Sequence, residues 1–157
     1  MKNDSQPHQG GEIPDSSGQA AFSLHAGEPS PIPVLLAVPH AGQVYPPSLL
    51  AQMRSPASSA MRLEDRHVDQ VARFAADETG AALLVAHAPR AMIDLNRSPD
   101  ELDPEMIRYG RGSAAPPRSA PLGWRTRSGL GLVPRRLPGF GELWRGPFSE
   151  AAITARI

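Results

Sequence analysis

The sequence contains no cysteine, which excludes a disulfide framework, a thiolate metal site and a cysteine nucleophile. It also fits a reducing compartment, so the expected location is cytoplasmic. No apolar run approaches the ~20 residues that span a bilayer. Met1 to Gln19 is polar, without the apolar stretch of a secretory signal, and no membrane partner is expected. Basic and acidic residues number 16 each, so overall charge makes no case for nucleic acid. A Gly-rich phosphate loop, a Gly-x-Ser-x-Gly elbow and a His-Glu-x-x-His helix are all lacking. Aromatic residues make up 5% of the chain, too few for a base-stacking platform.

What is present is unevenly distributed. The 157 residues fit one domain or part of a larger one. Proline (18) and glycine (14) are abundant, and the charge is polarised along the chain. Residues 1–105 hold 7 basic and 14 acidic groups, and residues 106–157 hold 9 and 2. Residues 1–30 are rich in Ser, Gly, Gln, Pro and Asp and bury too little apolar surface to offset ordering entropy. They read as a disordered tail with His8 and His25 solvated.

Order is expected from Pro31. Val34 to Val38 is an uninterrupted apolar run between prolines, the pattern of a strand buried on both faces in a parallel sheet. It runs into Pro39-His40-Ala41-Gly42, which places an imidazole past the strand's C-terminal end, where open α/β sheets bind ligands. Leu49 to Met53 reads as a short helix. A longer helix is expected over Glu64 to Glu78, with Val68, Val71, Ala72 and Ala75 as its apolar stripe, Asp65 in its first turn and Gly80 as its stop. There Asp65 and Asp69 stand one turn apart, and His67 is a surface residue within the helix. Ala81 to Ala86 is a second buried strand, completing a βαβ unit. The alternation of Met92, Asp94 and Asn96 with Ile93 and Leu95 predicts a third short strand.

Beyond Glu105 periodicity is lost. Arg111 to Phe140, crowded with Gly, Pro and Arg, reads as a long loop or unpacked segment. Ser149 is a candidate cap for a helix that opens eight residues before the chain stops. The expected organisation is a tail over 1–30, the N-terminal part of an α/β domain over 31–105, and an Arg/Pro/Gly-rich loop with the start of a helix over 106–157, incomplete at its C-terminus.

Chemistry-bearing residues gather at the strand ends: His40, Glu64, Asp65, Asp69, His87, Arg90, Asp94, Asn96 and Arg97. A histidine and a carboxylate on adjacent elements supply two of the three protein ligands that catalytic zinc takes, and planar guanidinium forks suit carboxylates. The same residues also admit a plain reading, with Asp65 complementing a helix N-terminus and Asp94 in an ordinary ion pair with Arg90 or Arg97.

Three ordered blocks sharpen the choice: Pro39-His40-Ala41-Gly42 with Tyr45-Pro46, Glu64-Asp65-Arg66-His67-Val68-Asp69, and Ala88-Pro89-Arg90-Ala91-Met92-Ile93-Asp94-Leu95-Asn96-Arg97. In order and spacing they resemble the N-formylglutamate amidohydrolase family, over about Pro31 to Glu105 and only loosely beyond. The resemblance implies a relative of the zinc carboxypeptidases and aspartoacylases. Its fold would be a partial three-layer α/β sheet with flanking helices. Its activity would be metal-dependent hydrolysis of N-formyl-L-glutamate, or a similar N-acyl amino acid, to formate and glutamate in histidine catabolism. It makes His40 the first ligand of Zn2+ or another divalent metal and Asp65 the acidic ligand, with Glu64, Asp69 and His87 as weaker candidates. Asn96 and Arg97 would grip a substrate carboxylate, and Arg90 a second carboxylate or the oxyanion.

It also implies a further ligand histidine in an Asp-x-His-Ser-like block and a catalytic glutamate, which acts as general base, beyond Ile157. The chain therefore reads as the N-terminal half of such an enzyme, with its activity as a fragment in question. The competing reading is a non-catalytic carboxylate-binding module whose basic C-terminal segment meets an anionic partner. Nucleic acid is a poor candidate for that partner, because a basic run without interleaved aromatics says little.

Overall fold

A computed structural model describes residues 6–27, 29–110 and 121–157. In chain order the elements are β1 (His8–Gly10), β2 (Phe22–His25), β3 (Leu35–Val38), α1 (Pro47–Gln52), α2 (Pro56–Leu63), α3 (Val68–Thr79), β4 (Ala82–Ala86), β5 (Ile107–Arg108), α4 (Trp124–Arg127), β6 (Arg136–Leu137), β7 (Gly141–Glu142), β8 (Phe148–Ser149) and α5 (Glu150–Thr154). Single 3-10 turns lie at Pro99–Glu101 and Pro104–Met106. The chain divides into two compact units, Met1–Pro46 with Leu63–Arg90 and Pro47–Arg62 with Ala91–Ile157.

The first unit is built on a mixed four-stranded sheet in the order β1-β2-β4-β3. β3 and β4 are parallel, with Leu36 opposite Leu83 and Val38 opposite Val85, and α3 connects them. This is the expected βαβ unit. Its core is Val38, Leu83, Val85 and Ala76, with Leu36, Ala41 and Ala72 packed against it.

Here the structure corrects two expectations about burial. β3 is an edge strand rather than one covered on both faces: Leu36 and Val38 turn toward the core, whereas Leu35 is 54% exposed. On α3 the small side chains Ala72 and Ala76 make the sheet contact, while Val68, Val71 and Phe74 are exposed. Alanine allows close approach of helix to sheet, so the bulkier residues of the stripe are rotated outward.

α3 also starts later than predicted. Residues 64–67 form the approach to the helix, and His67 is its N-cap in the left-handed conformation, with φ 67°. His67 is thus an exposed cap and not a mid-helix residue. Asp65 lies outside the helix, and Asp69 is the acidic residue of the first turn, where the helix dipole favours an anion. Gly80 closes the helix in the left-handed conformation, with its N–H on the Ala76 carbonyl, as expected.

The expected tail forms structure within its described residues. β2 pairs antiparallel with β4 (Phe22 with Ala86, Leu24 with Leu84), and β1 pairs with β2. Ile13 in the intervening turn is fully buried, and its N–H donates to the Gln19 carbonyl at 2.9 Å. The composition argument weighed apolar area only. The hairpin's order comes from main-chain bonds to the edge of β4, which composition does not register.

The second unit corrects the reading of the C-terminal third. Residues 111–120 lie outside the described residues. From 121 onward the chain is packed: Leu132, Val133, Leu143, Trp144, Phe148 and Ile153 are buried. Trp144 and Phe148 meet edge to face at 4.8 Å, and the Trp144 indole N–H donates to the Pro134 carbonyl. The strands here are two residues long, too short for any periodicity to register. Ser149 caps α5 by accepting from the Ala152 N–H at 3.2 Å, as predicted. The expected strand over Met92–Asn96 is instead a pair of turns. Asp94 accepts from the Asn96 N–H through its side chain and from the Arg97 N–H through its carbonyl, both at 3.0 Å. A carboxylate bonded two residues ahead competes with a strand ladder and wins here.

Candidate functional site

In the first unit the parallel pairing of β3 and β4 brings the two strands' C-terminal ends to one end of the sheet. The segments leaving them, residues 39–45 and 87–90, then run against each other. The Val44 N–H donates to the His87 carbonyl at 3.2 Å. At Gly42 an added Cβ would lie 2.1 Å from the Ala88 carbonyl oxygen and 2.6 Å from that of His87. Only a residue without a side chain permits that approach, which explains the glycine of the Pro-His-Ala-Gly block.

His40 is thereby held with 8% of its surface exposed. Two contacts join it to the approach of α3. The Asp65 N–H donates to the His40 carbonyl at 3.0 Å, and Asp65 Oδ2 stands 3.4 Å from His40 Nδ1. The carboxylate is half exposed while the imidazole is nearly covered. Of the predicted metal-ligand candidates, these two are brought together.

The others are placed differently. Glu64 is buried to 4% side-chain exposure and receives the Arg66 Nε–H at 3.0 Å. Asp69 lies in the first turn of α3. His87 is half-buried; its carbonyl accepts from the Val44 N–H and its own N–H donates to the Ala21 carbonyl. Among the described residues no group of three or more His, Cys, Asp or Glu is arranged to hold a metal ion. His40 and Asp65 fit as two donors of borderline and hard character, one fewer than the three protein ligands of a catalytic zinc.

Tyr45 is a participant to which sequence reasoning gave no role. Its hydroxyl is buried next to Glu64, and burial, followed by the Glu64 carboxylate, pushes the phenol pKa well up. The signal was available in the Tyr45-Pro46 step of the first block. Arg90 is half-buried at the end of this unit.

In the second unit the Asp94 turn carries the Asn-Arg pair. Asp94 is 1% exposed, and its N–H donates to the Leu132 carbonyl at 2.7 Å. Asn96 is exposed. Arg97 has its Nε 3.8 Å from Asp94 Oδ2, a structural ion pair of the kind the plain reading anticipated.

The sequence model of the N-formylglutamate amidohydrolase family matches residues 32–157. The chain belongs to that family. The match takes in the basic C-terminal third, which the three sequence blocks covered only loosely. The family fold is also seen in the crystal structure of N-formylglutamate amidohydrolase from Ralstonia eutropha JMP134, with a TM-score of 0.72 and 28% identity over 87% of this chain. The chain spans 46% of that relative's length. No curated protein matches the sequence. Among the described residues no helix is long and apolar enough to cross a membrane.

Proposed function

We propose that this chain carries part of a metal-dependent hydrolase that removes the formyl group, or a related acyl group, from an acidic amino acid, releasing formate and glutamate in histidine catabolism. The observation that carries this reading is the His40–Asp65 contact at the C-terminal ends of two parallel strands, in a chain of this family. Zn2+ or another divalent metal is the expected cofactor, and bound there it would lower the pKa of its water toward ~7 and so supply hydroxide.

The chain's own residues have simpler tasks. His40 presents an imidazole nitrogen from a rigid turn, and Asp65 sets its orientation and adds an anionic oxygen. In carboxylate–histidine–zinc arrangements such a carboxylate fixes tautomer and basicity, so Asp65 serves as ligand or as the partner of one. Arg90 would offset carboxylate or oxyanion charge, and the Asn96–Arg97 turn would meet a substrate carboxylate. The general base and the remaining ligand would come from sequence after Ile157. Kinship with zinc carboxypeptidases and aspartoacylases, and a cytoplasmic setting, belong to the same reading.

The test is zinc affinity and formate release from N-formyl-L-glutamate, on this chain and on one continued past Ile157 with the relative's remaining sequence. Zinc binding that weakens ~10–100-fold in His40→Ala and Asp65→Asn, with formate released by the longer chain, supports the proposal. Absence of both metal binding and formate release, in both chains, refutes it. Ligand binding without hydrolysis would favour a carboxylate-binding module.

A further inference from the structure

Arginine is concentrated after residue 105, and the second unit sorts these arginines by partner. Arg135 pairs with Asp103 at 3.1 Å and with Glu105, and Arg136 pairs with Glu142 at 3.1 Å. Arg156 lies over the Phe148 ring. Arg108 and Arg145 are exposed, and each bonds a main-chain carbonyl instead of a carboxylate. Arg108 Nη2 donates to the Pro147 carbonyl at 3.3 Å, and Arg145 Nε to the Ala51 carbonyl at 3.2 Å. Exposed Arg54 joins them from an earlier segment, with its Nε donating to the Trp144 carbonyl at 2.6 Å.

The three share one frame. Met53 and Trp144 form an antiparallel bridge. It is flanked by the Arg54 N–H on the Leu143 carbonyl and the Arg145 N–H on the Gln52 carbonyl, both at 2.9 Å. The carbonyls that receive Arg54 and Arg108 are three residues apart, a span of at most about 11 Å. At Gly146 an added Cβ would stand 3.8 Å from Arg108 Nη2, so that guanidinium lies along the backbone next to Arg145. Among the described residues no carboxylate pairs with any of the three. Residues 47–63 and 143–149 contain no Asp or Glu.

Anchoring through Nε leaves Arg54 and Arg145 each with the Nη1–Nη2 edge, two parallel N–H groups that match a carboxylate. A fork already held on the main chain loses little further freedom when that edge is occupied. We propose that Arg54, Arg108 and Arg145 form a docking face for an acidic peptide segment in extended conformation. Alternate side chains of such a segment stand about 7 Å apart on one side, so two carboxylates fit within the span. A nucleic-acid strand would bring bases as well as phosphates, and the neighbouring rings of Trp144 and Phe148 are buried, which leaves no stacking platform. The face lies wholly in the second unit and stands apart from the hydrolase reading.

Fluorescence anisotropy of labelled octaglutamate, titrated with the chain at low ionic strength, tests the face. Binding is expected to fall as salt is added. It should weaken ~tenfold in the double variant Arg54→Gln, Arg145→Gln, the summed scale of two exposed ion pairs. Arg125→Gln with Arg127→Gln, an equal change of charge on α4, should weaken it less than about twofold. Far-UV circular dichroism checks that both variants fold. If the first does not, Arg54→Lys with Arg145→Lys serves; it keeps both charges, removes both forks and should cost about threefold.

Equal losses in the two glutamine variants overturn the proposal, as does undiminished binding by the lysine variant or no binding of octaglutamate to the parent chain. Tighter binding of octathymidylate than of octaglutamate would give the face to nucleic acid and overturn it as well.

Discussion

Gly42→Ala probes the junction on which the first unit's site depends. The new methyl carbon would sit 2.1 Å from the Ala88 oxygen, against an ordinary contact distance of about 3.5 Å. The two segments must therefore separate by more than an ångström. Overpacking of this kind costs about 1–3 kcal/mol, and losing the Val44–His87 hydrogen bond adds about 1 kcal/mol. The expected destabilisation is about 2–4 kcal/mol. With a urea dependence of about 2 kcal/mol/M, the middle of the usual span, the unfolding midpoint should fall by about 1–2 M. Far-UV circular dichroism would follow the transition, and exchange at the Val44 amide would localise it. Both tryptophans, Trp124 and Trp144, belong to the second unit, so their fluorescence should move less. A midpoint shift under about 0.3 M, with Val44 protection intact, would refute the packing argument.

Two further outcomes can be checked on the same chain. His25 is held below its ordinary pKa of 6.5 by burial first and the Arg73 charge second, so the unfolded chain takes up that proton before the folded one. Its contribution to stability is therefore full above pH 6.5 and declines as pH falls below it toward the lowered folded value; His25→Gln should flatten this decline below pH 6.5 in a pH series of urea denaturations. Arg156 lies 3.8 Å over the Phe148 ring, and burial pulls its pKa down to about 10. Desolvation thus weighs against the charge. Arg156→Met should stay within about 1 kcal/mol of the parent, and Arg156→Ala should lose about 2–3 kcal/mol of packing, read by tryptophan fluorescence during denaturation. Equal losses in the two variants would show that the charge itself stabilises.

Legibility in the sequence followed the range of the interactions involved. β3, β4 and the helix between them were visible because apolar runs and a helical period are local signals, and the caps Gly80 and Ser149 were equally local. The start of α3 was misplaced because Glu64 and Asp65 suit a first helical turn by composition, whereas Asp65 is in fact bonded to His40. Burial on β3 was overestimated because an apolar run does not reveal which strand ends up at the sheet's edge. The turn at Asp94 escaped because alternation over five residues mimics a strand, and only the Asn96 N–H contact decides otherwise. Of the site, His40 and Asp65 were singled out through the family resemblance and lie 3.4 Å apart, while the engagement of Arg97 by the Leu130 carbonyl, 33 residues away, had no local signal.

The family match begins at residue 32, yet β2 lies before it and pairs with β4 from Phe22 opposite Ala86 to His25 opposite Leu83. Cutting the chain at the start of the match would leave β4 with an unpaired row of main-chain groups, the template on which strands of separate molecules join. It would also strip the Ala21 carbonyl from the His87 and Ala88 N–H groups, the same stretch against which Gly42 rests. The stretch recognised as a family and the stretch that must fold together have different beginnings. A trimmed chain should show this first as self-association and only second as a loosened His40 turn.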